Sequence, residues 1–205
     1  LHSPGLSIGK LEPSGSFLDY KDAEPTSSKT LGLRLSGGPP LNDAFSVVYT
    51  AEYASQDDYK SGVMDSQDYY LAEIGGKYKG WLLKFSHEVL EGDGTFSFKT
   101  PLGTNHAFQG WADQFLVTPS QGLVDSSLRL QWQQRPIHID FRFHQYETAQ
   151  GGIKLGKEYN LDLIFSPDRK HEFKLRFADF RAADNQTLRP NNVTKLFLMY
   201  SYNLK

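Results

Sequence analysis

The sequence predicts an all-β protein, an antiparallel up-and-down transmembrane β-barrel of about ten strands, and three observations carry that reading. Apolar residues recur at every second position through most of the chain, the period of a strand with two unlike faces. The alternating runs are about 8–11 residues long, which suits a tilted strand crossing a bilayer and exceeds the ~5–6 residues common in globular sheets. Short and long connections alternate along the chain, as in outer-membrane barrels, where periplasmic turns are short and extracellular loops long.

The strands follow in order. A weak one covers Ser16–Tyr20. Leu31, Leu33 and Leu35 then alternate with Thr30, Gly32 and Arg34, and Phe45, Val47, Tyr49, Ala51 and Tyr53 with Ser46, Val48, Thr50 and Glu52. Tyr70, Ala72, Ile74 and Tyr78 lead through Lys79-Gly80 to Trp81, Leu83, Phe85 and Val89. Leu128, Leu130 and Trp132 precede the clearest run, Ile137, Ile139, Phe141 and Phe143 set against His138, Asp140, Arg142 and His144. Tyr159–Phe165, Phe173–Phe177 and Leu196–Leu204 complete the series. The short connections are Gly37–Asp43, Lys79-Gly80, Gln134–Pro136 and Ser166–Lys170, all rich in turn residues. The long ones are Lys21–Ser28, Ala54–Asp68, Glu91–Asp125, Glu147–Gly156 and Arg181–Val193. We therefore read residues 1–205 as a single β-barrel domain with a long loop at 91–125.

Composition is consistent with this and narrows the function. The chain has 205 residues, 22 Lys+Arg against 24 Asp+Glu and a net charge of −2, which gives no bulk attraction to nucleic acid. Its mean hydropathy of −0.51 and the lack of any apolar run near ~20 residues exclude a helical membrane protein but not a barrel, whose membrane face occupies only alternate residues. The absence of Cys removes disulfide scaffolds, Cys-ligated metals and thiol nucleophiles. Leu1–Gly5 shows no charged start followed by an apolar core, so no signal peptide is read there. Alternation alone leaves the polarity open. A soluble β-barrel or sandwich binding a glycan or lipid would bury Phe141, Phe143, Leu161 and Leu163, whereas a membrane barrel turns them to lipid. Tyr53, Tyr69, Tyr70, Tyr78, Trp81, Trp132, Tyr159, Tyr200 and Tyr202 near strand ends read as interfacial girdles and favour lipid outside.

Several segments carry a family likeness. KTLGLRLSGG (29–38), YTAEYASQDDY (49–59), YYLAEIGGKY (69–78) and, above all, FKTPLGTNHAFQGWADQFLVTPSQGLVDSSL (98–128) resemble the alginate-export family of bacterial outer-membrane proteins. The resemblance implies a passive conduit in the outer membrane of a Gram-negative bacterium, with basic pore residues drawing an anionic polymer. Members of that family are longer, and the matching segments lie in their C-terminal half. This leaves a fragment, a truncated relative or a barrel completed by a partner subunit as expectations. The final strand also ends Tyr-Asn-Leu-Lys, where such barrels generally finish on an aromatic.

On the charged face, Arg34, Lys84, Arg129, His138, Asp140, Arg142, Lys174 and Arg176 are the candidate pore-lining and solute-binding residues, beside Glu52, Glu73, Glu88 and Asp162. Fixed charge in a narrow low-dielectric passage selects ions; the alternative is cross-strand pairing that fills a structural barrel without an open pore. His138, Asp140 and His144 share a strand face, but residues two apart are ~6–7 Å apart, too far for one metal ion, so no metal site is assigned. Glu91-Gly-Asp-Gly and Ser120–Asp125 offer loop oxygens without EF-hand spacing. No catalytic residue and no cofactor are read. Hydrolase, phosphate-loop and zinc-protease motifs are absent, and Ser86 and His87, being adjacent on a strand, face opposite ways. Asn185-Gln-Thr and Asn192-Val-Thr are sequons without meaning in this setting. Within the long loop, His106, Phe108, Trp111 and Phe115 are candidates for a constriction or for packing at the rim. The expected surroundings are outer-membrane lipid outside and a hydrophilic solute or polysaccharide inside.

Overall fold

The structure is a computed structural model that describes residues 5–6, 9–21, 27–59, 65–101, 109–184 and 190–204. His106, Phe108, the Leu1–Pro4 start and the Asn185 sequon lie outside them. The strands are β1 (Gly5–Leu6), β2 (Gly9–Leu18), β3 (Ser28–Gly37), β4 (Phe45–Asp58), β5 (Gln67–Tyr78) and β6 (Trp81–Leu90). They continue with β7 (Leu123–Gln134), β8 (Ile137–Glu147), β9 (Lys154–Phe165), β10 (His171–Ala182) and β11 (Val193–Tyr202). All lie in one sheet in sequence order, each antiparallel to the next. Among the described residues no pairing joins β11 back to β1 or β2, so the sheet is an open, partial barrel.

Strand length exceeds the sequence expectation: β4 runs for 14 residues and β5 for 12. Beyond the last outward apolar residue, inward polar groups such as Gln56 and Gln67, themselves cross-strand partners, carry the ladder on. The first long strand lies earlier than Ser16–Tyr20. Its outward row is Leu11, Pro13, Gly15 and Phe17, opposite Leu35, Leu33, Leu31 and Lys29, so Pro and Gly interrupt the apolar signal in its middle.

The turns explain why the chain reverses where it does. Lys79 and Gly80 both have positive φ (43° and 86°), as a two-residue hairpin turn of the primed kind needs. A Cβ on Gly80 would stand 2.7 Å from the Gln133 carbonyl oxygen. In the turn after β9, Asp168 Oδ1 accepts the backbone N–H groups of Lys170 (2.7 Å) and His171 (2.9 Å).

Burial decides the polarity. Leu198 and Leu196 are 77% and 62% exposed, and Phe85, Leu83, Ile74 and Leu31 are exposed too, while Glu158 and Asn160 are 0% exposed and Asp140 and Asp162 only 4%. A soluble barrel has the reverse arrangement. Phe141 and Leu163 are exposed rather than core, against the soluble alternative. Aromatic pairs on the outer face form bands at two levels. Trp81–Trp132 (6.1 Å between centroids) and Phe173–Tyr200 (5.1 Å) lie toward the short turns, and Tyr53–Tyr70 (5.4 Å) and Phe143–Tyr159 (5.2 Å) toward the long loops. Tyr69 corrects the girdle expectation: it is the strand neighbour of Tyr70, points inward and donates its hydroxyl to Glu88 (2.8 Å).

Candidate pore lining

Register places the candidate residues in adjoining rows on the inner face. Asp140 lies opposite Asp162 on β9, and Asp162 opposite Arg176 on β10; one row further, Arg142 lies opposite Arg129 on β7. Two carboxylates facing each other across strands repel, and each is held by two cations. Arg129 donates to Asp140 through Nε (2.9 Å) and Nη2 (2.7 Å), with Arg142 Nη2 at 3.0 Å. Asp162 accepts from Arg176 through two bonds (2.8 and 2.7 Å) and pairs with Lys174 Nζ at 2.9 Å. Arg34 pairs with Glu52 (2.7 Å), and Lys84 with Glu73, which also accepts from Ser86 Oγ (2.9 Å). Every Arg and Lys among the candidates is therefore ion-paired, yet each Asp140 or Asp162 cluster keeps one positive charge in excess.

The histidines stand apart from that network. His138 lies opposite Gln133 and Ile164, with Nε2 buried and without a hydrogen-bond partner. His144 Nδ1 meets both Asp125 carboxylate oxygens (3.0 and 2.8 Å). With Asp140 engaged by arginines and His144 by Asp125, the three do not form a shared ligand set. Ser86 and His87 take separate partners, Glu73 and Ser126, on opposite faces. In the loop, Asp93 Oδ1 accepts the Thr95 and Phe96 N–H groups (both 2.7 Å), and Glu91 Oε2 accepts the Asp68 N–H (3.2 Å). Those oxygens already shape the chain, and the Phe96 and Thr95 N–H groups hold the Asp93 carboxyl below the ordinary aspartate range.

The long loop folds onto this inner face. Glu158 Oε1 accepts the backbone N–H groups of Trp111 (2.6 Å) and Ala112 (2.8 Å), and Glu88 Oε2 accepts Gln109 Nε2 (2.7 Å). Lys195 pairs with Asp113 at 2.6 Å. Gly110 makes the approach possible: its φ is +83°, and a Cβ there would sit 2.5 Å from the Glu158 carboxylate. Trp111, 2% exposed, lays its indole against the guanidinium groups of Arg176 (4.2 Å) and Arg142 (5.0 Å), a cation–π stack over already paired cations. Phe115 packs on Tyr146 (4.7 Å) and Phe180 (5.7 Å). Nearer the loop's start, Phe98 rests on Tyr69 (5.5 Å), and Gln56 bonds the Lys99 backbone through both ends of its amide. Glu158 was not among the residues singled out from sequence, though its phase with Asn160 and Asp162 places it on the inner face.

Two hollows adjoin at Arg129. One of about 320 Å³ lies beside the loop among Arg34, Lys84, Arg129 and Arg142 and the carboxylates Glu73, Glu88 and Asp125. The other, about 620 Å³, opens toward the short turns beside Lys77, Lys79, Gln131 and Gln133.

A sheet apolar outside, charged inside and occupied by an inserted loop defines the outer-membrane β-barrel fold. The comparisons agree at the level of fold. The chain superposes on Acinetobacter baumannii OccAB2 with a TM-score of 0.63 at 16% identity, over 98% of this chain and 56% of that one. For Pseudomonas aeruginosa OccK5 (OpdH) the values are 0.63, 13%, 93% and 54%, and for Pseudomonas aeruginosa OpdL 0.61, 16%, 93% and 55%. These three are outer-membrane β-barrel porins. The chain thus spans little more than half the length of the structures it matches. No protein-family model and no curated protein matches it, and the alginate-export likeness gains no support from them.

Proposed function

We propose that the chain forms part of an outer-membrane channel that passes small hydrophilic solutes with a preference for anions. The carrying observation is the inner wall, where Arg129 and Arg142 both hold Asp140 at the edge of a hollow lined by Arg34, Lys84, Arg129 and Arg142 against Glu73, Glu88 and Asp125. Paired charge of this kind lowers the barrier for ions of the opposite sign to its surplus. Arg34, Lys84, Arg129, His138, Asp140, Arg142, Lys174 and Arg176 are the proposed lining, and Trp111 is the narrowing element. The inserted loop favours small solutes over the polymer that the alginate-export likeness suggests, because its indole covers the arginines such a polymer would use. The open sheet edge supports completion of the barrel by further strands, since lipid offers no partner for unpaired backbone groups.

Planar-bilayer recording tests this. Steady unit currents are expected, with a reversal potential under a KCl gradient of the sign set by chloride. Arg129→Gln with Arg142→Gln leaves Asp140 unneutralised and should move the reversal potential toward cation preference, and Trp111→Ala should raise the unit conductance. A protein that inserts without any unit current would overturn the open channel for this chain, in favour of a structural, poreless barrel or of one part of a larger channel. The poreless reading draws on the pairing of every Arg and Lys candidate.

A further inference from the structure

We propose that Lys157 and Arg181, on the outer face toward the long loops, form a binding site for a phosphate group of lipid A, the lipid of the outer leaflet. The proposal rests on the membrane-barrel reading above and adds a ligand on the opposite side of the wall from the pore.

Register puts Gln145, Lys157 and Arg181 side by side on β8, β9 and β10. All three are exposed and occupy outward positions, in phase with Phe143, Tyr159 and Phe177. The Phe143–Tyr159 ring pair is one outward position nearer the apolar band. At ~3.3 Å rise per residue, Lys157 stands about 7 Å beyond that girdle, at the level of lipid headgroups rather than acyl chains. Long loops mark the external side, so the headgroups there belong to the outer leaflet, whose lipid A carries phosphates.

The charges at this spot do not balance within the chain. Lys157 and Arg181 lie directly opposite each other, an arrangement that repels unless an anion sits between them. Arg181 Nε donates to Asp179 Oδ2 (2.8 Å), and the other Asp179 oxygen accepts Thr194 Oγ1 (2.6 Å). That carboxylate is taken up by Arg181 and Thr194, and among the described residues the rest of the guanidinium fork has no hydrogen-bond partner. Among the described residues no carboxylate lies within salt-bridge distance of Lys157. Glu147, the nearest acid along the outward row of β8, stands opposite Lys154 across a bulge. By contrast Lys29, at the same rim between β3 and β4, pairs with its opposite residue Asp57 (3.5 Å). A phosphate, with several acceptor oxygens, suits one ammonium and one guanidinium edge held across strands.

The test uses the chain folded in detergent micelles and titrated separately with diphosphorylated lipid A, dephosphorylated lipid A and phosphatidylglycerol. The readout is the midpoint temperature of heat-modifiable gel mobility. Diphosphorylated lipid A should raise the midpoint and the other two should not. Lys157→Ala and Arg181→Ala should each weaken its apparent affinity about fivefold, with Lys29→Ala as wild type. Lys157→Gln keeps most of the stem and gives the same reading should the alanine variant fold poorly. An equal rise with dephosphorylated lipid A, a rise matched by phosphatidylglycerol, or variants that respond like wild type would overturn the lipid A site while leaving the barrel intact. A chain with no heat-modifiable form in any lipid would overturn the barrel reading itself and the site with it.

Discussion

At the residue scale the inserted loop depends on a glycine and a carboxylate. Gly110 has a backbone conformation that other residues adopt at a cost, and its missing Cβ leaves space for Glu158. Gly110→Ala should unseat the loop at a cost of about 1–3 kcal/mol, seen as faster proteolysis within 91–122 and a larger unit conductance. Asp168 makes a simpler prediction. The N–H groups of His171 and Lys170 hold its carboxyl below the ordinary aspartate value of 3.8. Its support of the turn is therefore complete above that value and disappears as pH falls through the lowered one. Amide exchange at Lys170 and His171, corrected for intrinsic rates, should show this loss of protection on acidification, and Asp168→Ala should abolish the pH dependence.

At the scale of the element, phase determines everything a strand can do. In β8, Phe141 faces out and Arg142 faces in one residue later, so neighbouring substitutions have unlike effects. Phe141→Arg should cost about 2–4 kcal/mol if the site lies at the bilayer midplane, measured by urea unfolding from lipid vesicles, while Arg142→Gln should alter selectivity far more than stability. Phase is also what the amino-acid pattern makes legible. The cross-strand partnerships of β3 to β11 follow from alternation and turn residues, and the basic wall follows from the same pattern. What alternation could not show is which face meets lipid, because a period of two is symmetric. Only the burial of Asp140, Asp162 and Glu158 beside exposed Leu196 and Leu198 resolves that. Tyr69 was misplaced because an aromatic near a strand end looks the same on either face. The role of Glu158 was hidden because its partners, Trp111 and Ala112, are far away in sequence and meet it only once the loop has folded in.

At the scale of the whole molecule, the described residues form a wall with an occupied inner side and two edges not joined to each other. The loop is fastened to β6, β9 and β11 through Glu88, Glu158 and Lys195, and Trp111 leans on β8 and β10 through Arg142 and Arg176. Its seat therefore exists only when these strands are assembled together. The edges at β1–β2 and at β11 are where the proposed further strands would pair. The three tryptophans of the chain divide between the two sides of this wall. Trp81 and Trp132 lie against each other on the outer face next to the short turns, whereas Trp111 is sealed inside against guanidinium groups. The protein thus carries its own optical label for each environment: brominated lipid should quench the outer pair and spare Trp111. Emission that survives such lipid then reports how firmly the loop is seated, without any added dye.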